Sequence, residues 1–218
     1  MYELRLDYLD KKTFTNTKEI IDIINIVKTK FCDKKIIATI RTIKDGGKAE
    51  ITDYIYFDLI SKMLKESKAD YIDIEYSLYS KKKEAYNKLI AKSTKTIIIS
   101  KHLFNKKTSF VNYKTALRKM TKCKGDILKL AVMPKCTIDV YNFMKLAREY
   151  TFKDKKNRKG YIFIAMGKYG LVSRIFPEYT NTGIVFINAY KGKGTLGQVN
   201  MKKYFYYRRR LKSRLINK

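Results

Sequence analysis

Two hydrophobic rhythms alternate along this chain of 218 residues. Short apolar, largely β-branched runs fall at about 2–6, 35–41, 71–75, 96–100, 126–131, 161–166 and 183–188. Each has the length of a strand, and their near-continuous apolar character suits parallel strands buried on both faces. Between most of them the apolar positions recur every three or four residues. In KEIIDIINIVKTK, Ile20, Ile23, Ile24 and Val27 share one face, with Ile21 and Ile26 widening it. That spacing predicts an amphipathic helix. DYIYFDLISKMLKES, NYKTALRKMTK and TIDVYNFMKLAREY repeat the pattern. The tail VNMKKYFYYRRRLKSRLINK predicts a last outer helix, with Tyr204, Phe205, Leu211 and Leu215 at helical spacing and the basic residues largely on the remaining faces.

Repeated strand–helix units predict an α/β fold, a parallel sheet with helices packed outside it. Two prolines and no Gly/Ser-rich linker leave no boundary, so one domain over 1–218 is expected. An open doubly wound sheet for a dinucleotide would carry GxGxxG after an early strand. The glycines here do not supply it. Candidate functional residues instead stand at or near successive strand ends: Arg41, Glu75, His102, Lys129, Met166 and Asn188. That distribution belongs to a barrel, whose site is assembled from many strand ends.

Composition narrows the partners. At 45% hydrophobic and 13% aromatic the chain can bury a core, which argues against disorder. No apolar run reaches the roughly 18 residues a membrane span needs, and MYELRLDYLD lacks the basic-then-apolar order of a secretory signal. A cytoplasmic protein with no membrane partner is expected. Cys32, Cys123 and Cys136 have no CxxC spacing, and there is one histidine. A Cys/His zinc site is therefore not expected, and a reducing setting is. The net charge of +29 invites nucleic acid as a partner. The lysines, however, are scattered through every segment, and Ile, Lys, Tyr and Asn are all abundant, which is a compositional lean rather than a basic stripe. The one dense cluster is the tail.

Lys129 lies inside the apolar run GDILKLAV. Burying a lysine there penalises its charged form and favours a neutral, nucleophilic amine, as Schiff-base chemistry needs. Taken alone, the residue reads better as a lysine pointing outward or paired with a carboxylate. His102 follows the run TIIIS, at the end of the preceding strand. A lone imidazole there is commonly a hydrogen-bonded structural group, yet a base beside a nucleophilic amine is a working pair. Alternation along YELRLDY puts Glu3, Arg5 and Asp7 on one face, where inward-pointing Glu–Arg pairs would have to satisfy each other. TIRTIKDGG adds Arg41, Asp45 and a Gly46–Gly47 turn, and GLVSRIF adds Arg174. Guanidinium groups facing one pocket suit a carboxylate substrate.

Taken in order, ELRLDYL, ATIRTIKDGG, IDIE, IISKHLF, GDILKLAVM, AMGKYGLVSRI and KGKGTLGQV resemble type I 3-dehydroquinate dehydratase from residue 2 to about 201. The resemblance implies a (β/α)8 TIM barrel, commonly a homodimer, without metal or organic cofactor. It implies a hydro-lyase that dehydrates 3-dehydroquinate to 3-dehydroshikimate, the third step of the shikimate pathway toward aromatic amino acids. Lys129 matches the lysine that forms an imine with the substrate ketone. His102 matches the general acid/base. Glu3, Arg5, Arg41, Arg174 and Gln198 match residues that bind the substrate's hydroxyls and carboxylate, and Met166 matches a methionine against its ring. Asp45 stands where many members carry Glu.

Three departures go with it. Leu103 follows the histidine where a polar residue is usual. The lid reads Gly194-Thr195-Leu196-Gly197-Gln198, without the usual Ser-Ala-Pro. Thr195 is expected to supply the missing hydroxyl, and the lost proline to leave the loop less rigid. Members also carry one more strand–helix unit, of roughly 30 residues, before ELRLD. Seven strands rather than eight would leave an edge unpaired, so the polypeptide is expected to begin upstream. A class I Schiff-base aldolase on the same barrel, a basic RNA-binding protein and an inactive barrel relic are the competing readings.

Overall fold

The computed structural model describes residues 1–10, 12–104, 109–153, 159–188 and 198–216. Six strands are hydrogen-bonded in chain order: β1 (Tyr2–Arg5), β2 (Ile36–Thr39), β3 (Tyr71–Glu75), β4 (Thr96–Leu103), β5 (Ile127–Val132) and β6 (Gly160–Ala165). The first three pairings are parallel, with Tyr2 opposite Ile36, Thr39 opposite Asp73 and Glu75 opposite Ser100. The helices are α1 (Thr17–Lys30), α2 (Asp53–Glu66), α3 (Tyr76–Tyr79), α4 (Lys83–Ala91), α5 (Phe110–Met120), α6 (Thr137–Lys153), α7 (Leu171–Ile175) and α8 (Met201–Ile216). All five expected helices form. α4 was not foreseen, and Tyr86 is its one fully buried residue.

The chain divides into two compact units, Met1–His102 with Lys119–Leu128, and Leu103–Arg118 with Lys129–Lys218. In the first, Asn16 caps α1 by accepting from the Glu19 amide at 3.3 Å, and Thr52 caps α2 by accepting from Ile55 at 3.2 Å. Such caps satisfy amides that have no partner within the helix. Strand alternation then divides the side chains. Leu4, Ala38, Ile72, Ile74, Ile97 and Ile99 take one face of the sheet. Glu3, Thr39, Asp73, Glu75 and Ser100 take the other, and the last four are wholly buried. Both faces are covered, as expected, but the second is a polar layer and must satisfy itself with hydrogen bonds.

In the second unit β6 packs its apolar side chains with α6. Phe143 meets Tyr113 and Phe163 edge-on, with ring centroids 5.5 and 6.0 Å apart. A side chain at Gly170 would put its Cβ 2.0 Å from the Ala165 carbonyl oxygen. Ser173 Oγ accepts from the Ala165 amide at 3.0 Å and donates to the Gly170 carbonyl at 2.8 Å. These contacts hold the one-turn helix α7 against the end of β6.

Four sequence expectations change. β4 continues to Leu103, so His102 lies within a strand rather than past its end. β1 stops at Arg5, where the chain tightens into a 3-10 turn over Leu6–Tyr8. The run 183–188 is no strand. Isolated bridges stand just before it and at its end, Tyr161 with Thr182 and Asn188 with Asn200. The Thr182 hydroxyl accepts from the Phe163 amide at 3.1 Å, taking the donor that a main-chain ladder would use. Finally, Phe205 on α8 is exposed rather than turned inward, and no described side chain of that helix is fully buried.

Candidate active site

The polar layer of the first unit centres on Arg41, which is buried at the end of β2. Its guanidinium donates to Asp73 Oδ2 at 2.8 Å, Ser100 Oγ at 2.7 Å and Glu75 Oε1 at 3.3 Å. Burial alone would lower its pKa, but the charges of Asp73 and Glu75 outweigh that and raise it. Glu75 responds differently. Burial pushes its carboxyl up to about 7, against the opposing pull of Arg41, and the nearby Asp45 adds to the rise. Arg41 is thus engaged by two of the protein's own carboxylates.

Asp45 sits in a 3-10 turn, Ile43–Asp45, that leaves Arg41 and closes through Gly46 at φ 81°. A Cβ at Gly47 would lie 2.1 Å from the Arg41 carbonyl oxygen, so only glycine fits that close return. The turn carries Asp45 Oδ2 to within 3.2 Å of the His102 amide and 3.4 Å of His102 Nδ1. Burial would raise the Asp45 pKa, but the hydrogen bond with His102 and the charge of Arg41 hold it below the usual range. The group set against the ring is therefore Asp45, two strands away in the sheet, rather than the residue after the histidine.

Burial alone would lower the pKa of Arg5, but it feels the charges of both Asp7 and Glu3, which raise it. Arg5 makes a two-point ion pair with Asp7, both contacts at 2.7 Å, because the turn after β1 folds Asp7 back beside it. The Lys48 amide also donates to Asp7 at 3.1 Å. Glu3 accepts from the Thr39 hydroxyl at 3.1 Å.

In the second unit Lys129 is buried on β5, 4% exposed. Its Nζ lies 4.2 Å from the centroid of the Phe186 ring. Arg174, on α7, is 5% exposed and donates through one terminal nitrogen to the Phe186 carbonyl at 2.9 Å. Its Nε is buried and, among the described residues, has no hydrogen-bond partner. Burial lowers its pKa to about 10. Phe186 therefore touches both cations, and sequence reasoning passed over it. The signal was an aromatic within the run 183–188 that did not become a strand. Met166 is buried just after β6, its amide donating to the Val132 carbonyl at 2.8 Å. Gln198 is half-buried. Thr195, with Gly194 and Leu196, lies outside the described residues. Among the described residues no group of three or more His, Cys, Asp or Glu is placed to hold a metal ion, and no helix is long and apolar enough to cross a membrane.

Comparison with known proteins gives the family and the fold class. The family model described as type I 3-dehydroquinase matches residues 1–206. The 3-dehydroquinate dehydratase of Streptococcus thermophilus is 32% identical over 184 residues, which cover 84% of this chain and 75% of that protein. The solved type I 3-dehydroquinate dehydratase of Clostridium difficile, with covalently modified comenic acid, is 25% identical at a TM-score of 0.83, covering 96% of this chain and 80% of that one. The 3-dehydroquinate dehydratase of Geobacillus kaustophilus, at 19% identity, superposes with a TM-score of 0.84 over 97% of this chain and 80% of its own. These likenesses put the chain in the TIM-barrel-like β/α class that its strand–helix alternation predicts.

Proposed function

Because the chain belongs to the type I 3-dehydroquinase family, we propose that it dehydrates 3-dehydroquinate to 3-dehydroshikimate through an imine on Lys129. The amine of Lys129 adds to the substrate ketone, and loss of one water gives a protonated imine. That imine is an electron sink and acidifies the neighbouring C–H bond. A base removes the proton, the electron pair forms the new C=C bond, and the β-hydroxyl leaves with a proton as the second water. Readdition of water to the imine releases the product and restores the amine, so the net change is loss of one water. We assign the proton transfers to His102, whose ordinary pKa lies near working pH. With its Nδ1 proton directed at Asp45 Oδ2, 3.4 Å away, the neutral ring presents Nε2 as its basic nitrogen.

The observation that carries this reading is Arg174. A buried guanidinium with Nε unpartnered and no carboxylate on it among the described residues suits an incoming carboxylate, which the substrate has. Phe186 links that anion site to the nucleophile, since it touches both Lys129 and Arg174. From the family resemblance we assign Glu3, Arg5, Arg41, Thr195 and Gln198 to the substrate's polar groups and Met166 to its ring, in a cytoplasmic homodimer. The test is turnover of 3-dehydroquinate, followed by the ultraviolet absorbance of the conjugated product. Activity that disappears in Lys129→Ala supports the proposal. Absence of turnover in the folded wild-type protein would refute it.

A further inference from the structure

Glu75 is a buried carboxyl that the proposed mechanism does not use. We propose that it is a positioning residue. It fastens the turn after β2 to the end of β3 and so sets where Asp45 meets the ring of His102. The proposal deepens the dehydratase reading and rests on it for its kinetic consequences.

The hydrogen bonds form an unbroken chain within one compact unit. Glu75 Oε1 accepts from the Thr42 amide at 2.8 Å, and Oε2 accepts from the Thr42 hydroxyl at 2.7 Å. The Glu75 amide donates to the Tyr56 hydroxyl at 3.0 Å, which fixes the glutamate's own backbone to α2. Thr42 in turn organises the turn, its carbonyl accepting from the amides of Asp45 at 3.1 Å and Gly47 at 2.8 Å. Asp45 then faces both the amide and the ring of His102. Thr42, Asp45 and Glu75 are all buried, so water offers little substitute for any link.

Electrostatics alone would not place these groups together. Glu75 lies among Asp45, Asp73, Tyr56 and Tyr86 as well as the cation Arg41. Like charges gathered in a buried layer repel, and the turn would relax away from β3 unless held. The two bonds to Thr42 tie it to the end of β3, where the Ser77 hydroxyl adds a longer contact of 3.5 Å to Asp45.

The chain's one histidine makes the test direct, because its imidazole signals in an NMR titration need no assignment. Asp45 and His102 stabilise each other's charged forms, so loosening their contact lowers the midpoint of the imidazole titration, as Asp45→Asn does outright. Glu75→Ala is expected to lower that midpoint and to reduce kcat by about 10²-fold, the scale of a misplacement of about 1 Å, with KM within about threefold. Glu75→Gln keeps an acceptor for the Thr42 amide and a donor for its hydroxyl, and restores most of what Glu75→Ala loses. Should Glu75→Ala fail to fold, Thr42→Val decides, since it removes one of the two bonds at nearly constant volume. A folded Glu75→Ala or Thr42→Val protein with an unchanged His102 midpoint overturns the proposal. The titration needs no substrate. If no form turns over 3-dehydroquinate, the dehydratase reading fails while the midpoints still decide the role of Glu75.

Discussion

A charged side chain that stays buried without a carboxylate partner costs stability, and Arg174 has that character. Its pKa falls to about 10 through burial, and among the described residues it has one carbonyl, that of Phe186, and no acid. Arg5 and Arg41, by contrast, are both held by protein carboxylates, which is why we propose Arg174 as the group that takes the substrate's carboxylate. Arg174→Met should therefore raise KM by about 10–100-fold, the value of a hydrogen bond to a charged group. It should not lower Tm, because an apolar side chain of similar length removes a buried charge. Steady-state kinetics and a thermal melt on the same sample check both halves. At this scale Lys129, His102 and Arg174 were legible in the sequence as unusual residue types in apolar contexts. The Asp45–His102 contact was not, because it joins a turn to a strand 57 positions along the chain. Nor was Phe186, whose importance comes from two neighbours distant in sequence.

Elements were legible where one rhythm held long enough to count. α1, α2, α5, α6 and α8 follow from their 3.6-residue period, and five of the six strands lie within a residue or two of their apolar runs. β4 outlasts its run by three residues, since the chain stays extended through the polar Lys101 and His102. The run 183–188 has strand composition, but the β6 amide that would extend its pairing, that of Phe163, donates to the Thr182 hydroxyl instead, and composition cannot reveal that. α7 is too short for any period to show. Its position depends on Gly170, whose missing side chain lets the backbone return against β6. Gly170→Ala is expected to cost about 1–3 kcal/mol, as overpacking does. Because α7 carries Arg174, KM should rise together with the fall in Tm. A variant that melts like wild type and binds substrate normally would contradict this account of α7.

For the whole molecule, the buried polar layer predicts how stability follows pH. Glu75 titrates near its ordinary 4.5 when unfolded and near 7 when folded. Between those values the folded form holds the extra proton, so stability contributed by this group falls as pH rises through the window. The gap from 4.5 to about 7 corresponds to about 3 kcal/mol. Asp45 and Asp70, both held below their usual range, act in the opposite sense, their contributions being lost only as pH drops below about 4. Denaturant unfolding across pH 4.5–7 should show a declining contribution in wild type that is absent in Glu75→Gln. Parallel curves for the two proteins would contradict the shift. The α/β class was legible from the alternation of rhythms, and the family from seven motifs in order. The polar filling of one sheet face was not, since residues such as Thr39, Asp73 and Ser100 acquire their partners only when neighbouring strands align them.

The central claim is that Lys129 is the nucleophile. The direct measurement is to incubate the protein with 3-dehydroquinate, reduce with borohydride, and locate the added mass by peptide mass spectrometry. A reduced adduct is expected on the peptide containing Lys129, absent from Lys129→Ala. An adduct on another lysine, or none on protein shown to be folded and turning substrate over, would contradict it.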